Sequence, residues 1–542
     1  MPDATPSDDS SAIRGGDPFA AGDPDPVAPE NASADEAART AGRGGLAITF
    51  AKVYFILQGL VQQVALPRVL GLDGYGALSS VLSAASITYN PIVTASIQGV
   101  SHAVARATPE EQPAAVRRVF ALHAALAVLS SAAFFAAAPS IADFMHAPHI
   151  VASLRVVSLV LLFYGVYSPL IGVLNGRRRF VAQASFDVVF ATFRTAALIA
   201  GGAFLARSGR GVEGAVTGFV VVAGGIFVAS AFVVGFGKRG AGGPSVKKHL
   251  AFLAPLLAGQ VLLNLLLQAD LTLLRRFAGE AAQGIGLPSS AADPLVGAYR
   301  ATQLYSFLPY QLLISVTFIL FPMLAAAHQA GDRAAVARYV STGVRVALLV
   351  AGAMVSVTSG LSGPLIRLVY SVEAAELGTR SMQILTLGFG AFAILGVFTA
   401  VLSSLGRERA GAIVIFVAFV LVVTSCFAWA RGVPFGEQIL WRTALSTSSG
   451  LVLSTACAAV LVYRTTGTVV SKTTALRVVV AMAVAIFAAR SLPAGGKIVT
   501  LVFCALVAAI YAVCLVVLGE VSRADLTALG NIAGRGNKRS SQ

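Results

Sequence analysis

The chain alternates between long apolar segments and short polar connections over most of its length. Each apolar segment contains about 17 to 33 residues, enough for a helix to cross the roughly 30 Å hydrocarbon layer of a membrane. The pattern predicts an all-α polytopic membrane protein with about fourteen transmembrane helices. The predicted helices, numbered 1 to 14 here, are 45–69, 77–99, 116–138, 151–174, 181–206, 212–236, 249–274, 295–327, 335–360, 379–404, 410–430, 439–463, 475–491 and 498–519.

Polar residues follow one face of four of these helices, at steps of three, four or eleven residues. Small polar residues at such positions often only join helices to one another. Because the stripes occur together on helices 1, 2, 7 and 8, we favour the interpretation that these helices line an aqueous cavity. The candidate lining residues are Gln63 in helix 1, Ser86, Asn90 and Thr94 in helix 2, Gln260, Asn264 and Gln268 in helix 7, and Gln303 and Gln311 in helix 8.

Two prolines lie at mid-depth in the striped helices, Pro91 in helix 2 and Pro309 in helix 8. A proline inside a membrane helix frees a backbone carbonyl that another group must satisfy. Helix 8 also contains Arg300, and a charge at the centre of a membrane helix costs about 2.5 to 3.5 kcal/mol on insertion scales. These features predict kinks or hinges beside a hydrated path.

The helices with polar faces, 1, 2, 7 and 8, are the first two members of two successive sets of six helices. This arrangement suggests two six-helix lobes related by pseudo-two-fold symmetry, plus two extra C-terminal helices. We expect a disordered acidic cytoplasmic tail at 1–43, an N-lobe at 44–240, a C-lobe at 241–465, helices 13 and 14 within 466–519 and a basic cytoplasmic tail at 520–542.

The charge of the chain is distributed unevenly. The net charge of the whole chain is +15, and since the tail 1–43 has a net charge of −6, the remaining residues have a net charge of +21. With a cytoplasmic N-terminus, inside segments hold 24 Lys and Arg residues and outside loops 10. The positive-inside rule thus predicts that both termini are in the cytoplasm.

Charges within the predicted spans are mainly basic. Lys52, Arg194, Arg300 and Arg345 are candidates for a cationic cavity, because arginine donates two parallel hydrogen bonds to phosphate. The acidic residues are Asp187 and Asp270, which could bind a coupling cation. Alternatively, Arg275 could neutralise Asp270 one helical turn away.

Other chemistries have little support in the sequence. The four cysteines lie in apolar runs and the six histidines are scattered, so we expect neither a metal site nor a cofactor. No connection between helices exceeds about twenty residues, which disfavours a glycan polymerase or ligase with an external catalytic loop. The composition, 56% hydrophobic with a mean hydropathy of +0.79, excludes an ordinary soluble protein. We therefore expect a transporter rather than an enzyme, with no catalytic residues and no nucleic-acid partner.

Two motifs resemble a known family. The segment RVLGLDGYGAL at 68–78 is similar to the end of helix 1 in polysaccharide and lipid-linked oligosaccharide flippases. The segment LPYQLLISVTFILFPMLA at 308–325 resembles a signature of the lipid II flippase and stage V sporulation protein B branch of that superfamily, the multidrug/oligosaccharidyl-lipid/polysaccharide exporters. These two motifs are the specific part of a resemblance that covers the membrane portion.

The resemblance implies two lobes around a cationic V-shaped cavity, with helices 13 and 14 forming a groove for a lipid tail. It implies a multi-pass protein of the bacterial inner membrane, in which alternating access carries an undecaprenyl-diphosphate-linked sugar outward for cell-surface polysaccharide synthesis. Arg300 lies about one turn earlier relative to Pro309 than in the lipid II branch, which favours another glycolipid over the peptidoglycan precursor. The expected partners are a lipid-linked glycan and membrane lipids around a monomer, and association with glycan assembly enzymes stays open. The alternative is a cation-coupled multidrug or metabolite antiporter of the same superfamily, with Asp187 and Asp270 as the coupling groups.

Overall fold

The computed structural model describes residues 34–240, 243–493 and 495–521, with side chains from Leu46 onward except at positions 318 and 319. The described chain is helical throughout, with two short 3₁₀ turns at Pro148–Ile150 and Ser289–Ala292. The helices are α1 (Ala34–Ala105), α2 (Gln112–Phe144), α3 (Val151–Gly176), α4 (Phe180–Ala206), α5 (Gly211–Val234), α6 (Val246–Gly284), α7 (Asp293–Ser306), α8 (Leu308–Gln329), α9 (Arg333–Gly360), α10 (Ser362–Val369), α11 (Val372–Ser404), α12 (Glu408–Trp429), α13 (Glu437–Thr466), α14 (Lys472–Arg490) and α15 (Lys497–Val517).

Helix α1 is two arms joined at Gly71. Its apolar part, Leu46–Ala105, is 60 residues long, which would be about 90 Å as a straight helix. The backbone leaves helical geometry at Gly71 (φ 75°, ψ 174°), a conformation that glycine tolerates because it has no Cβ. The Tyr75 hydroxyl donates a 2.7 Å hydrogen bond to Gln63. Twelve residues would separate these side chains by about 18 Å along a straight helix, so the arms fold back on each other.

The number of spans agrees with the sequence pattern once the two arms of α1 are counted separately. Twelve helices are each long and apolar enough to cross a membrane, and the bent pair Ser289–Thr317 and Leu320–Gln329 makes a thirteenth. One of the twelve is Leu46–Ala105, whose two arms account for two predicted helices. The protein is therefore a multi-pass membrane protein with an all-α fold.

Two differences from the predicted elements have simple causes. Helix α1 begins at Ala34, inside the segment expected to be disordered, because ADEAARTA is rich in good helix formers. Residues 1–33 and 522–542 of the expected tails lie outside the described residues. The amphipathic helix α10 was not predicted, since eight residues are too few to span a membrane.

The two prolines at mid-depth, Pro91 and Pro309, both lie within helices. Within the described part of α1, the helical geometry is lost at Gly71 and continues through Pro91. Pro309 lies in the first turn of α8, directly after the break at Phe307, where a missing N–H costs little. The 40° bend of this span lies further along, between Thr317 and Leu320. The roles of Pro91 and Pro309 as kinks or hinges stay predictions.

The helices pack in two groups. Helices α1 to α5 pack on one another, with the pair α4–α5 beside α3, and α6 to α13 form a second group in which α12–α13 pack beside α11. Helices α14 and α15 pack on each other and on α9. We call the two groups the first and second bundle. The face that carries Gly71 and the connections before α3, α7, α11 and α15 is called the elbow face, and the predicted orientation places it outside the cell.

The bundles meet closely on the elbow face. A Cβ on Gly76 of α1 would lie 1.9 Å from the backbone oxygen of Asp293, and one on Gly297 of α7 would lie 2.3 Å from that of Leu72. Only glycine permits backbones to approach this closely. His149 adds a 2.9 Å contact from the first bundle to the Asp293 carboxylate.

Candidate functional site

A polar cavity of about 250 Å³ lies between the two bundles. Both arms of α1 contribute to its wall, together with α4, α5, α6 and α7. Its two cationic side chains are Arg194 from α4 and Arg300 from α7, and both are half-buried. The lining residues are Gly59, Gln62, Gln63, Leu66, Tyr75, Leu78, Ser79, Leu82, Ser83, Ser86, Tyr89, Asn90, Arg194, Leu198, Phe219, Gln268 and Arg300.

The second arm of α1 supplies one wall because its polar residues recur every three or four positions and therefore share a face. Ser83 donates a 2.9 Å hydrogen bond to Gln268 of α6, and Asn90 donates one of 2.9 Å to Asn264. These bonds join the first bundle to the second along the cavity. Part of each polar stripe thus holds the bundles together, while Ser86, whose hydroxyl donates to the Ser83 backbone oxygen at 2.9 Å, lines the cavity between them.

Arg300 is oriented by a buried network on the second bundle. Its Nη1 donates a 2.9 Å hydrogen bond to the Gln303 side-chain oxygen. The amide nitrogen of Gln303 in turn donates to both carboxylate oxygens of Asp270, at 3.1 and 3.0 Å. The Tyr299 hydroxyl donates to the same carboxylate at 3.0 Å. Asp270, only 2% exposed, therefore fixes Gln303, and Gln303 fixes the guanidinium that reaches the cavity.

Arg194 is held in a different way, by aromatic rings. Its guanidinium carbon lies 4.6 Å from the centre of the Phe55 ring, and Phe190 and Phe219 follow at 5.9 and 5.8 Å. Its buried Nε has no hydrogen-bond partner among the described residues. Stacking on rings leaves the planar donors of an arginine free for an anion. Arg194 thus lies at the cavity wall with aromatic rings, rather than a carboxylate, as its neighbours among the described residues.

Two predicted cavity cations lie elsewhere. Lys52 is exposed, and its charge interacts with Asp187 on α4. Arg345 on α9 pairs with Glu520 beyond α15, with Nε 2.8 Å from the carboxylate. Neither Lys52 nor Arg345 is among the residues that line the cavity, which corrects the expectation for both.

The predicted polar residues divide in a similar way. Gln63, Ser86, Asn90 and Gln268 line the cavity. Asn264 and Gln303 lie one layer behind it, bonded to Asn90 and Arg300. The cavity-lining set does not contain Thr94, Gln260 or Gln311, and Gln311 is exposed.

The alternative that Arg275 neutralises Asp270 is not what the structure shows. The Nη2 atom of Arg275 lies 3.4 Å from the Asp293 carboxylate and donates a 3.0 Å hydrogen bond to the backbone oxygen of Ser289. A separation of five residues on a helix turns the two side chains by about 140°, so they point in different directions. Asp270 belongs to the Arg300 network instead.

Sequence reasoning missed the two tyrosines of the lining, Tyr75 and Tyr89. Tyr75 continues the stripe of Ser79, Ser83 and Ser86 toward the elbow, and this spacing could have identified it. Gln62 is adjacent to a predicted lining residue, and only the fold of the two arms brings it to the cavity. Among the described residues, no group of three or more His, Cys, Asp or Glu side chains could hold a metal ion.

The cavity has the chemistry of an anion site. Two arginines from different bundles face it, and its other polar groups are hydroxyls and amides that can both donate and accept hydrogen bonds. No carboxylate is among its lining residues. Such a wall can bind an anionic group together with neighbouring hydroxyl groups.

Solved structures share the fold. A lipid II flippase MurJ in an inward closed conformation matches with a TM-score of 0.67 at 12% identity, over 86% of this chain and 97% of that one. A multidrug resistance MATE family transporter of the MOP superfamily, in an inward-facing conformation, matches with a TM-score of 0.60 at 14% identity, over 76% and 95%. The Vibrio cholerae MATE transporter VcmN in its bent form gives 0.52 at 14% identity, over 79% and 96%. At these identities the matches show the fold alone.

Among curated proteins, no sequence relative was found. A family model described as "Polysaccharide biosynthesis protein" matches residues 65–377, which is more than half of the chain. The matched range contains the second arm of α1, both cavity arginines and the Asp270 network. By this match, and in agreement with its fold, the chain belongs to the polysaccharide biosynthesis protein family.

Proposed function

We propose that this protein is a flippase that moves a polyprenyl-diphosphate-linked oligosaccharide, or a related glycolipid, from the cytoplasmic to the outer face of the bacterial inner membrane. The observation that carries the proposal is the cavity between the bundles, in which Arg194 and Arg300 are the charged groups. The two arginines bind the diphosphate, and hydroxyl and amide groups such as Ser86 and Gln63 meet the sugar.

The charge of the cavity supports this choice of substrate. Guanidinium groups pair with phosphate oxygens through two parallel hydrogen bonds, and each such bond is stronger than one between neutral groups. An inside-negative membrane potential would assist the outward step, since moving one negative charge outward gains about 2.3 kcal/mol per 100 mV. In this proposal both termini are cytoplasmic and the elbow face is outside, as the positive-inside rule predicts.

The experiment that tests the proposal uses a deletion strain. Loss of the protein should cause lipid-linked oligosaccharide to accumulate on the cytoplasmic face while surface polysaccharide disappears. Wild-type protein should restore export, and the double variant Arg194→Gln/Arg300→Gln should not. The matched control is Arg155→Gln, because Arg155 also stacks on a phenylalanine, at 5.5 Å from Phe135, but lies outside the cavity. Normal export by the double variant would refute the proposed binding role.

A cation-coupled antiporter of the same superfamily is the second candidate, and the buried carboxylate of Asp270 favours it. Such a protein should show efflux of cationic drugs that depends on protons or sodium and is lost in Asp270→Asn or Asp187→Asn. Unchanged drug sensitivity in the deletion strain would exclude this candidate.

A further inference from the structure

A second cavity, of about 480 Å³, opens on the elbow face. It lies between the bend of α1, the connection from α10 to α11, and the start of α15, and we call it the elbow pocket. The lining residues used below are Arg68, Arg367, Tyr370, Glu373 and Lys497.

The charges of the elbow pocket are drawn from parts of the chain far apart in sequence. Arg68 comes from α1, Arg367 from α10 and Lys497 from the first residue of α15, while the carboxylate is Glu373 of α11. Three cations against one carboxylate leave the lining with a surplus of two positive charges. Arg68 is tied to the wall by a 3.4 Å hydrogen bond from Nη2 to the backbone oxygen of Val369. The pocket therefore attracts anions from the outer side of the protein in the predicted orientation.

The inner wall of the elbow pocket has an unused hydrogen-bonding group. Tyr370 is 8% exposed, and its hydroxyl has no hydrogen-bond partner among the described residues. When the ring of Tyr370 moves away from Tyr75, this hydroxyl can donate to an acceptor bound in the pocket. A phosphate oxygen is such an acceptor.

The same tyrosine separates the elbow pocket from the central cavity. The rings of Tyr370 and Tyr75 lie 6.2 Å apart. Tyr75 lines the central cavity, where it donates to Gln63, and Tyr370 lines the elbow pocket. One pair of aromatic rings thus lies between two cationic compartments.

We propose that the elbow pocket is a second binding site for a phosphate or diphosphate ester of a lipid, reached from the central cavity when the Tyr75–Tyr370 pair separates. Arg68, Arg367 and Lys497 bind the anion, and the Tyr370 hydroxyl donates to it. The inference rests on the proposed function, because the central cavity supplies the ligand. The same chemistry also suits a phospholipid headgroup of the outer leaflet.

The test is calorimetric titration of the purified full chain with farnesyl diphosphate as the probe. The wild-type protein should bind two equivalents. The variant Arg68→Gln/Arg367→Gln/Lys497→Gln should lose one of them, with affinity at that site reduced about 100-fold or more, since each hydrogen bond to a charged group contributes about tenfold. Tyr370→Phe should weaken the same site by several-fold. Arg490→Gln, an exposed cation at the end of α14 on the same face, should bind like the wild type.

Two comparisons keep the result interpretable. Arg194→Gln/Arg300→Gln should lose the other equivalent, and circular dichroism and gel filtration show whether each variant is folded. If the triple variant keeps both equivalents while the cavity variant loses one, the elbow pocket is not a phosphate site and the proposed function stands. If the cavity variant keeps both, the proposed role of the central arginines fails instead.

The source of the phosphate group is settled by repeating the titration in nanodiscs. With phosphatidylcholine alone, the elbow pocket should bind the probe. If phosphatidylglycerol competes for that equivalent, the natural ligand is a phospholipid headgroup, and if it does not, the ligand is the transported lipid diphosphate. A triple variant indistinguishable from wild type in both membranes would overturn the inference.

Discussion

The Nε2 atoms of His123 and His249 lie 3.1 Å apart and join the two bundles on the face opposite the elbow. His123 is on α2, and its Nδ1 lies 2.8 Å from the Ser96 hydroxyl of α1. His249 is in the first turn of α6, and both rings are buried. Together with the contact between Gly76 and α7 on the elbow face, this pair means that the bundles touch on both sides of the central cavity. Alternating access requires each contact to separate in turn.

Joining the histidine positions covalently should arrest transport. Two histidine side chains placed end to end separate their Cα atoms by about 10 Å or more, too far for a disulfide, so a bifunctional thiol reagent of similar length is needed. His123→Cys/His249→Cys treated with this reagent should lose export, measured as surface polysaccharide. The single variants, which keep the native cysteines, are the controls and should be unaffected by the reagent. Continued export after complete cross-linking would show that this contact does not open.

The glycine contact on the elbow face should be sensitive to a single methyl group. Gly76→Ala places a Cβ 1.9 Å from the Asp293 backbone oxygen, so α1 and α7 must move apart. We expect a loss of about 1 to 3 kcal/mol, as for other overpacked sites, measured as a lower thermal unfolding midpoint in detergent. Gly225→Ala is the control, because no atom lies within 4 Å of its added Cβ. Equal midpoints for the two variants would contradict the close approach.

Removal of the Glu520 charge should loosen α14 and α15. The buried Glu520 carboxylate lies 2.8 Å from Arg345 Nε and 3.3 Å from Arg477 Nη1, and it accepts hydrogen bonds from Thr474. We expect Glu520→Gln to cost about 1 to 3 kcal/mol, whereas Glu213→Gln, which breaks the surface pair with Arg210, should cost less than about 1 kcal/mol. Chemical denaturation in detergent measures both.

The stabilisation that the Glu520 carboxylate gives to α14 and α15 should depend on pH. Burial favours the neutral acid, but hydrogen bonds from Arg345, Thr474 and Arg477 outweigh it and lower the pKa of Glu520 below its ordinary value of 4.5. Because the folded pKa is the lower one, the stabilisation is present above pH 4.5 and is lost as the pH falls through the folded value. The difference in stability between wild type and Glu520→Gln should therefore shrink in acid, and a constant difference would argue against the ion pairs.

Asp270→Asn should impair export through Arg300. The carboxylate accepts from Tyr299, Gln303 and the Leu271 backbone, while an asparagine amide turns one acceptor into a donor facing other donors. We expect a loss of about 1 to 3 kcal/mol in stability and weaker binding of farnesyl diphosphate at the central cavity. Asp187→Asn has no link to Gln303 and should leave that binding unchanged. Equal effects of the two substitutions on farnesyl diphosphate binding would show that Asp270 does not orient Arg300.

The sequence by itself determined the all-helical membrane fold, the number of spans and the polar faces of the helices that meet at the cavity. These follow from local rules, since the length of an apolar run sets a crossing and a repeat of three or four residues sets a helix face. Ser86, Asn90 and Gln268 were identified in this way.

Only the tertiary structure decided what each face meets. Arg194 and Arg345 are both arginines within apolar membrane segments of the sequence. In the structure, Arg194 stacks on Phe55 beside the cavity, whereas Arg345 pairs with Glu520, 175 residues away. The break at Gly71, rather than at Pro91, brings Tyr75 to Gln63 and gives the cavity its shape. Periodicity fixes the direction of a side chain from its own helix axis, whereas its partner depends on how the helices pack.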